Sequence, residues 1–158
     1  YMHRKTDAEL AEVYQPILRE HGIEVSDEVA GKAAGIMKER AQLTTDLWDL
    51  TSYFFIAPTQ YEEKQTRKYW KGDNPAILRE LRGVLEGIDD FSKENTERIV
   101  HAWIEEKGYG MGQVMNTLRL ALVGAGKGPG MYDVTEFIGR EETLRRIDYL
   151  LDNLKPAE

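Results

Sequence analysis

The chain has 158 residues, of which 41% are apolar and 31% charged, a composition typical of a soluble globular protein with one domain or two small packed subdomains. It has no cysteine, no apolar run near the ~20 residues that a membrane span needs, and no secretory signal, so we expect neither disulfides nor membrane insertion. The net charge of −7 argues mildly against RNA binding, because Lys and Arg must neutralise the phosphates of the RNA. One local basic face is nevertheless enough to bind RNA.

Apolar residues at helical spacing dominate the first ninety residues, and the predicted helices begin at capping residues and end at glycine or proline. These four helices cover residues 6–21, 26–37, 45–57 and 74–88. Between the third and the fourth lies a segment that we expect to be only partly helical. It carries four cations close together, for which a solvated face is the simpler interpretation: Lys64, Arg67, Lys68 and Lys71.

The helical pattern resumes after a break at Asp89-Asp90. Further helices are predicted over 92–107 and 114–123, with two short ones over 132–138 and 140–153 separated by Gly139. A second basic cluster, which we also interpret as a solvated face, lies in the last of them: Arg140, Arg145 and Arg146. No stretch alternates with the period of two that indicates a strand. The sequence therefore predicts an all-α fold, a bundle or cage of about eight helices in two packed subdomains, residues 1–90 and 91–158.

The glycine-rich stretches invite a nucleotide-binding interpretation that their spacing does not support. The run Gly124-Ala-Gly-Lys-Gly-Pro-Gly130 follows a helix, and it lacks the first glycine and the final hydroxyl residue of a phosphate loop. The three histidines are far apart, and adjacent helical carboxylates point about 100° apart, so neither a metal site nor an acid–base pair is predicted. We therefore expect no catalytic residue, no cofactor and no metal in this chain.

Arg119 is the unusual residue, because it lies within an apolar helical run shortly before the glycines. In one interpretation its stem lies along the core and its head reaches water or a carboxylate. In the other, the planar fork of donors binds a nucleobase edge or a phosphate with two hydrogen bonds at once. An RNA loop with unstacked bases is a natural target for such a fork beside a flexible turn.

Short motifs near the end of the chain follow one another in a set order: Leu118-Arg-Leu-Ala-Leu-Val-Gly124, Pro129-Gly-Met-Tyr132, Ile138-Gly-Arg-Glu141 and Arg146-Ile147. This order resembles the closing part of bacterial-type glutamyl-tRNA synthetases, the region that binds the anticodon loop of the tRNA. A weaker similarity at Met37-Lys-Glu-Arg40 and at the opening helix extends the resemblance over essentially the whole chain.

The resemblance implies an all-helical anticodon-binding half in a cytoplasmic, monomeric enzyme, with the anticodon loop of glutamate tRNA as its partner and with neither DNA nor a membrane bound. Arg119 corresponds to an arginine that reaches one anticodon base, and Arg40 to an arginine that reads the other end of the anticodon. The loop that closes over the first base contributes further RNA-binding residues: Lys127, Gly128, Pro129, Gly130 and Met131.

In the family, a class I catalytic part with HIGH-like and KMSKS-like motifs attaches glutamate to tRNA with ATP and Mg. Neither motif is present in this chain, which opens on Tyr1 and which we expect to be an inactive piece of the longer enzyme. Val123 and Gly128 stand where members of the family it resembles often carry Thr or Ser, a departure that removes one hydroxyl that could contact a base. The alternative that composition leaves open is an acidic helical protein–protein interaction module without RNA binding.

Overall fold

A computed structural model of the chain describes residues 7–37, 48, 51–126 and 130–156. Within these ranges seven α-helices have defined bounds: α1 Asp7–Glu20, α2 Asp27–Met37, α3 Glu63–Tyr69, α4 Asn74–Glu86, α5 Lys93–Lys107, α6 Met111–Val123 and α7 Met131–Asn153. A 3₁₀ turn spans Ser52–Phe54, and the described ranges contain no strand. The all-α prediction is confirmed.

The first compact unit extends to Ile56 and is built on the packing of α1 against α2. Its core combines large side chains of α1 with small ones of α2: Leu10, Tyr14, Leu18, Ala30, Ala33 and Ala34. The Tyr14 hydroxyl forms a hydrogen bond with the Thr51 hydroxyl, and burial raises the pKa of Tyr14 to about 12. Of the predicted third helix, 45–57, residues 45–47, 49 and 50 lie outside the described residues, and its described end contains the 3₁₀ turn.

The second compact unit begins at Ala57, and in it α7 packs against α4, α5 and α6. One aliphatic stripe from each helix forms the core: Leu78, Leu81, Leu85, Val100, Ile104, Leu118, Leu122, Val134, Ile147 and Leu150. Arg82 connects α4 to α7 by donating two hydrogen bonds to the Asp148 carboxylate, at 2.5 and 3.0 Å. No helix among the described residues is both long and apolar enough to cross a membrane.

The pattern break at residues 89–90 is the turn between α4 and α5, and it lies inside the second unit. Contacts cross this turn from the same partner helix: Arg140 of α7 donates to the Ile88 carbonyl at 3.0 Å, and the Lys93 amide donates to Glu136 at 2.7 Å. The compact units therefore divide at Ile56, far from the predicted boundary. That residues 1–90 and 91–158 act as separate anticodon-binding subdomains stays a prediction.

Gly139 interrupts α7 as the sequence predicted, with φ 86° and ψ 168°, a backbone conformation that favours glycine. The helix is therefore two segments with a bend between them, which matches the predicted spans 132–138 and 140–153. The basic segment after residue 59 is helical over Glu63–Tyr69 alone, in agreement with a partly helical expectation.

Candidate nucleic-acid interface

The end of α6 is fixed by a glycine in the left-handed conformation. Gly124 has φ 79° and ψ 4°, and its N–H donates to the carbonyls of Arg119 and Leu120 at 3.3 and 3.0 Å. A Cβ at this position would lie 2.8 Å from both the Gln60 carbonyl oxygen and the Pro58 Cβ. Glycine is thus required here for two independent reasons, the positive φ and the close approach of a distant part of the chain.

The residues that follow, Gly124–Gly126, are called the glycine turn below, and they lie against the beginning of α3. The Glu62 N–H donates to the Gly124 carbonyl at 2.7 Å. A Cβ on Gly126 would lie 2.6 Å from the side-chain amide nitrogen of Gln65, so the Gln65 side chain of α3 covers this part of the backbone. The glycine turn is therefore docked on a neighbouring helix, although its composition alone suggested a flexible connection.

Arg146 reaches the same end of α6 from α7. Its side chain is only 1% exposed, its Nη1 donates to the Leu122 carbonyl at 2.9 Å, and its Nε donates to Glu142 at 2.7 Å. Burial lowers the pKa of Arg146, and the hydrogen bond to Glu142 acts in the opposite direction. For Arg146, the interpretation of the cluster at 140–146 as a solvated face is wrong. Its position three residues after Thr143 and four before Leu150, both buried, was the signal in the sequence that could have shown its burial.

Arg119 lies half-buried on α6, five residues before the glycine turn begins. Its neighbours one turn back, Met115 and Asn116, are also half-buried, while Leu118 and Leu122 point into the core. The Asn116 amide donates to the Gly112 carbonyl at 2.7 Å and thus stays on its own helix. Arg119 therefore stands at the edge between the core and the exposed face of α6.

Three of the seven predicted RNA-binding residues are described, namely Arg119, Gly130 and Met131. Gly130 is exposed at the start of α7, where its carbonyl accepts a hydrogen bond from the Asp133 N–H at 3.1 Å. Met131 is only 3% exposed, so it lies in the core as the structure stands. The other four predicted residues lie outside the described ranges: Arg40, Lys127, Gly128 and Pro129.

Basic side chains on α3 flank the contact with the glycine turn. Lys64, Arg67 and Lys68 are exposed, and Gln65 between them is the residue that meets Gly126. The ion pair of Arg67 with Glu63 spans 3.6 Å, with side chains 72% and 82% exposed, so it contributes little to stability. Folding thus brings a basic helix next to the glycine turn, a proximity that the sequence did not indicate.

Among the described residues no group of three His, Asp or Glu side chains is placed to hold a metal ion.

Comparison with known proteins shows the family of the chain. A family profile described as "Anticodon binding domain" matches residues 9–151. The chain is 48% identical over 155 residues to the glutamate--tRNA ligase of Phocaeicola vulgatus, covering 98% of this chain and 31% of that protein. With the glutamate--tRNA ligase of Flavobacterium johnsoniae it shares 44% identity over 154 residues, covering 98% of this chain and 30% of that protein.

A solved structure gives the same result. The crystal structure of a glutamate tRNA ligase from Elizabethkingia meningosepticum, in complex with its amino acid, superposes with a TM-score of 0.92 and 38% identity, over 98% of this chain and 31% of that one. The chain therefore spans about a third of the length of the relatives it matches. The resemblance to glutamyl-tRNA synthetases that the motifs predicted is confirmed.

Proposed function

The chain belongs to the family of anticodon binding domains, which bind tRNA, and we propose that it is the part of a glutamate--tRNA ligase that reads the anticodon loop of glutamate tRNA. The observation that carries the proposal is the juxtaposition on α6 of a half-exposed arginine, Arg119, and a glycine turn docked at its end. The comparisons favour this function and lend no support to a protein–protein interaction module.

Base reading follows from the chemistry of the guanidinium group. The guanidinium of Arg119 is a planar set of donors that matches the acceptors on one base edge. A contact to a phosphate, by contrast, does not distinguish one base from another. Because the backbone on its C-terminal side is held by the Gly124 contacts, little conformational entropy is lost when a base binds. A well-placed contact of this kind discriminates between bases by about 1–3 kcal/mol.

The remaining predicted residues complete the proposed site. Arg40 reads the other end of the anticodon, and the loop of residues 127–131 closes over the base that Arg119 contacts. Gly130 contributes backbone groups to this loop. Met131 packs on the base after its side chain moves out of the core, since it is buried in the structure described here.

Affinity that does not depend on sequence is assigned to the basic face of α3. Lys64 and Lys68 are exposed beside the residue that contacts the glycine turn, so they lie where the backbone of a bound loop would pass. Binding of phosphates by lysine releases counterions, and the affinity should therefore fall steeply as salt rises. A protein held by apolar packing would show no such dependence.

In the proposed parent enzyme, a monomeric class I ligase of the cytoplasm, ATP and Mg serve the attachment of glutamate in the catalytic part. The chain described here contributes recognition of the tRNA and no step of that chemistry. Contacts of the tRNA with the catalytic part would add to the affinity of this region through linkage.

The experiment that tests this function is a titration of the 158-residue chain with glutamate tRNA and with an unrelated tRNA, at low and at moderate salt. We expect the chain to bind glutamate tRNA selectively and with an affinity that falls as salt rises, and we expect Arg119→Ala to abolish the selectivity. Arg79→Ala, which removes an exposed arginine from α4, is the matched control and should leave selectivity unchanged. Equal binding of both tRNAs by the unmodified chain and by Arg119→Ala would reduce the site to general phosphate attraction. Lack of binding by a folded sample at high concentration would contradict the proposal.

A further inference from the structure

Arg146 is a buried cation that takes no direct part in the proposed RNA contacts. Its side chain is 1% exposed, and transferring a charge from water into a protein core is unfavourable unless hydrogen bonds and an opposite charge compensate. The compensation comes from two helices at once. The Nε donates to the Glu142 carboxylate within α7 at 2.7 Å, and Nη1 donates to the Leu122 carbonyl of α6 at 2.9 Å.

The carbonyl that Arg146 holds is one of the last in α6. The final four carbonyls of a helix have no partner within it, and together they form the negative end of the helix dipole. The Gly124 N–H binds the carbonyls of Arg119 and Leu120, and Arg146 supplies both a donor and a positive charge to the carbonyl of Leu122. A cation is therefore placed where the backbone between Arg119 and the glycine turn needs one.

The end of α6 and the first residue of the glycine turn are consequently each held by a contact from elsewhere in the chain. Arg146 of α7 donates to the Leu122 carbonyl, and the Glu62 N–H donates to the Gly124 carbonyl at 2.7 Å. These two contacts lie two residues apart along the chain and come from segments more than eighty residues apart. Together they fix the direction in which the chain leaves α6.

We propose that Arg146 is a positioning residue for base reading: it never touches RNA, but it orients the end of α6 so that Arg119 and the glycine turn meet the anticodon base in one geometry. The inference rests on the function proposed above. Lysine cannot replace Arg146 in this role, because a single ammonium group lacks the planar fork of donors that spans a carboxylate on one helix and a carbonyl on another.

The neighbouring residue provides a matched control. Arg145 donates to the same Glu142 carboxylate with two hydrogen bonds of 2.7 Å, but its side chain is 57% exposed, and its guanidinium bonds to the carboxylate of its own helix. Arg145→Met and Arg146→Met remove the same charge from the same helix and take donors from the same carboxylate. Only Arg146→Met takes the donor from Leu122.

The first measurement is amide hydrogen exchange in the 158-residue chain. In Arg146→Met we expect exchange at Gly124 and Glu62 to accelerate about tenfold or more, since an unsatisfied buried carbonyl is costly, while Leu81 and Leu85 of α4 change little. Arg145→Met should leave all four amides near their original rates. Equal acceleration at all four amides in Arg146→Met, or none, would overturn the positioning role.

The second measurement compares the affinity for glutamate tRNA with that for the same tRNA carrying one replaced anticodon base. Arg146→Met should lower this ratio about tenfold, and Arg145→Met should preserve it. If Arg146→Met does not fold, Arg146→Lys carries both measurements, because it keeps the charge and loses the fork. Discrimination by the unmodified chain that survives in both Arg146 variants would refute the positioning role alone. Absence of discrimination in the unmodified chain would refute the proposed function and this role with it.

Discussion

Replacing Gly124 by alanine should damage the chain more than the same change at another glycine that ends a helix. Gly108 ends α5 with φ 73° and Gly124 ends α6 with φ 79°, so alanine meets the same left-handed backbone at both positions. A Cβ at 108 finds no atom within 4 Å, whereas at 124 it meets the Gln60 carbonyl oxygen and the Pro58 Cβ at 2.8 Å. The two substitutions thus share one penalty and differ in the other.

The magnitudes follow from these two terms. An L-residue in the left-handed region costs about 1–2 kcal/mol, and both variants incur this loss. Forcing a methyl group into a packed site adds about 1–3 kcal/mol, and only Gly124→Ala incurs it, because the backbone carbonyl of Gln60 cannot rotate away as a flexible side chain would. We expect the free energy of unfolding to fall by about 1–2 kcal/mol in Gly108→Ala and by about 2–5 kcal/mol in Gly124→Ala.

Urea denaturation of both variants, followed by circular dichroism and compared at equal m-values, measures the difference. Binding of glutamate tRNA should weaken in Gly124→Ala and stay near the unmodified value in Gly108→Ala. Losses of stability that agree within about 0.5 kcal/mol would show that the contact with Gln60 and Pro58 contributes nothing beyond the positive φ. The docking of the glycine turn on the chain before α3 would then not constrain the site.

Three further outcomes are expected. Lys64→Ala should reduce the slope of log affinity against log salt by about 0.7 while leaving the preference for glutamate tRNA unchanged, and an altered preference would contradict its assignment to phosphates. Arg82→Met should lower the free energy of unfolding by about 1 kcal/mol in urea titrations, because its two bonds to Asp148 are short but half-exposed; an unchanged midpoint would refute that contribution. The pKa of Glu142 is lowered, chiefly by its hydrogen bonds to Arg145, so its contribution to stability is present above the ordinary value of 4.5 and is lost as pH falls through the folded-state pKa. Glu142→Gln should therefore flatten the acid side of the stability profile, and an unchanged profile would refute the linkage.

Local signals in the sequence predicted most of the helices, because the features that end a helix are local. Helices α5 and α6 end at residues 107 and 123, as predicted, and the glycine that follows each, Gly108 or Gly124, has a positive φ. Gly139 was expected to separate two segments, and it bends α7. The positive φ at these positions is a local feature of the backbone, and a glycine at one position is enough to indicate it.

What the sequence did not reveal depends on contacts between distant residues. Nothing in the run after α6 indicates that Gly124 lies against Pro58, and the cations of α3 had no apparent relation to the glycines. Arg146 was grouped with Arg140 and Arg145 because the three are close in sequence, although its spacing from Thr143 and Leu150 indicated a buried face. Its hydrogen bond to the Leu122 carbonyl of α6 could not be inferred from the sequence.

Affinity and specificity in the proposed site come from different elements, and this resolves how an acidic chain can read RNA. Several carboxylates of the second unit are already engaged with cations, among them Asp133 with Lys93 at 3.0 Å and Asp148 with Arg82 at 2.5 Å. In the part of the chain that the structure describes, no ion pair involves Lys64, which leaves its charge available to a phosphate. Under the proposed function, few such cations make the attraction weak and dependent on salt, while discrimination is assigned to Arg119 and to the backbone that positions it. The two contributions are therefore separable: loss of Lys64 should weaken all tRNAs alike, and loss of Arg119 should equalise them.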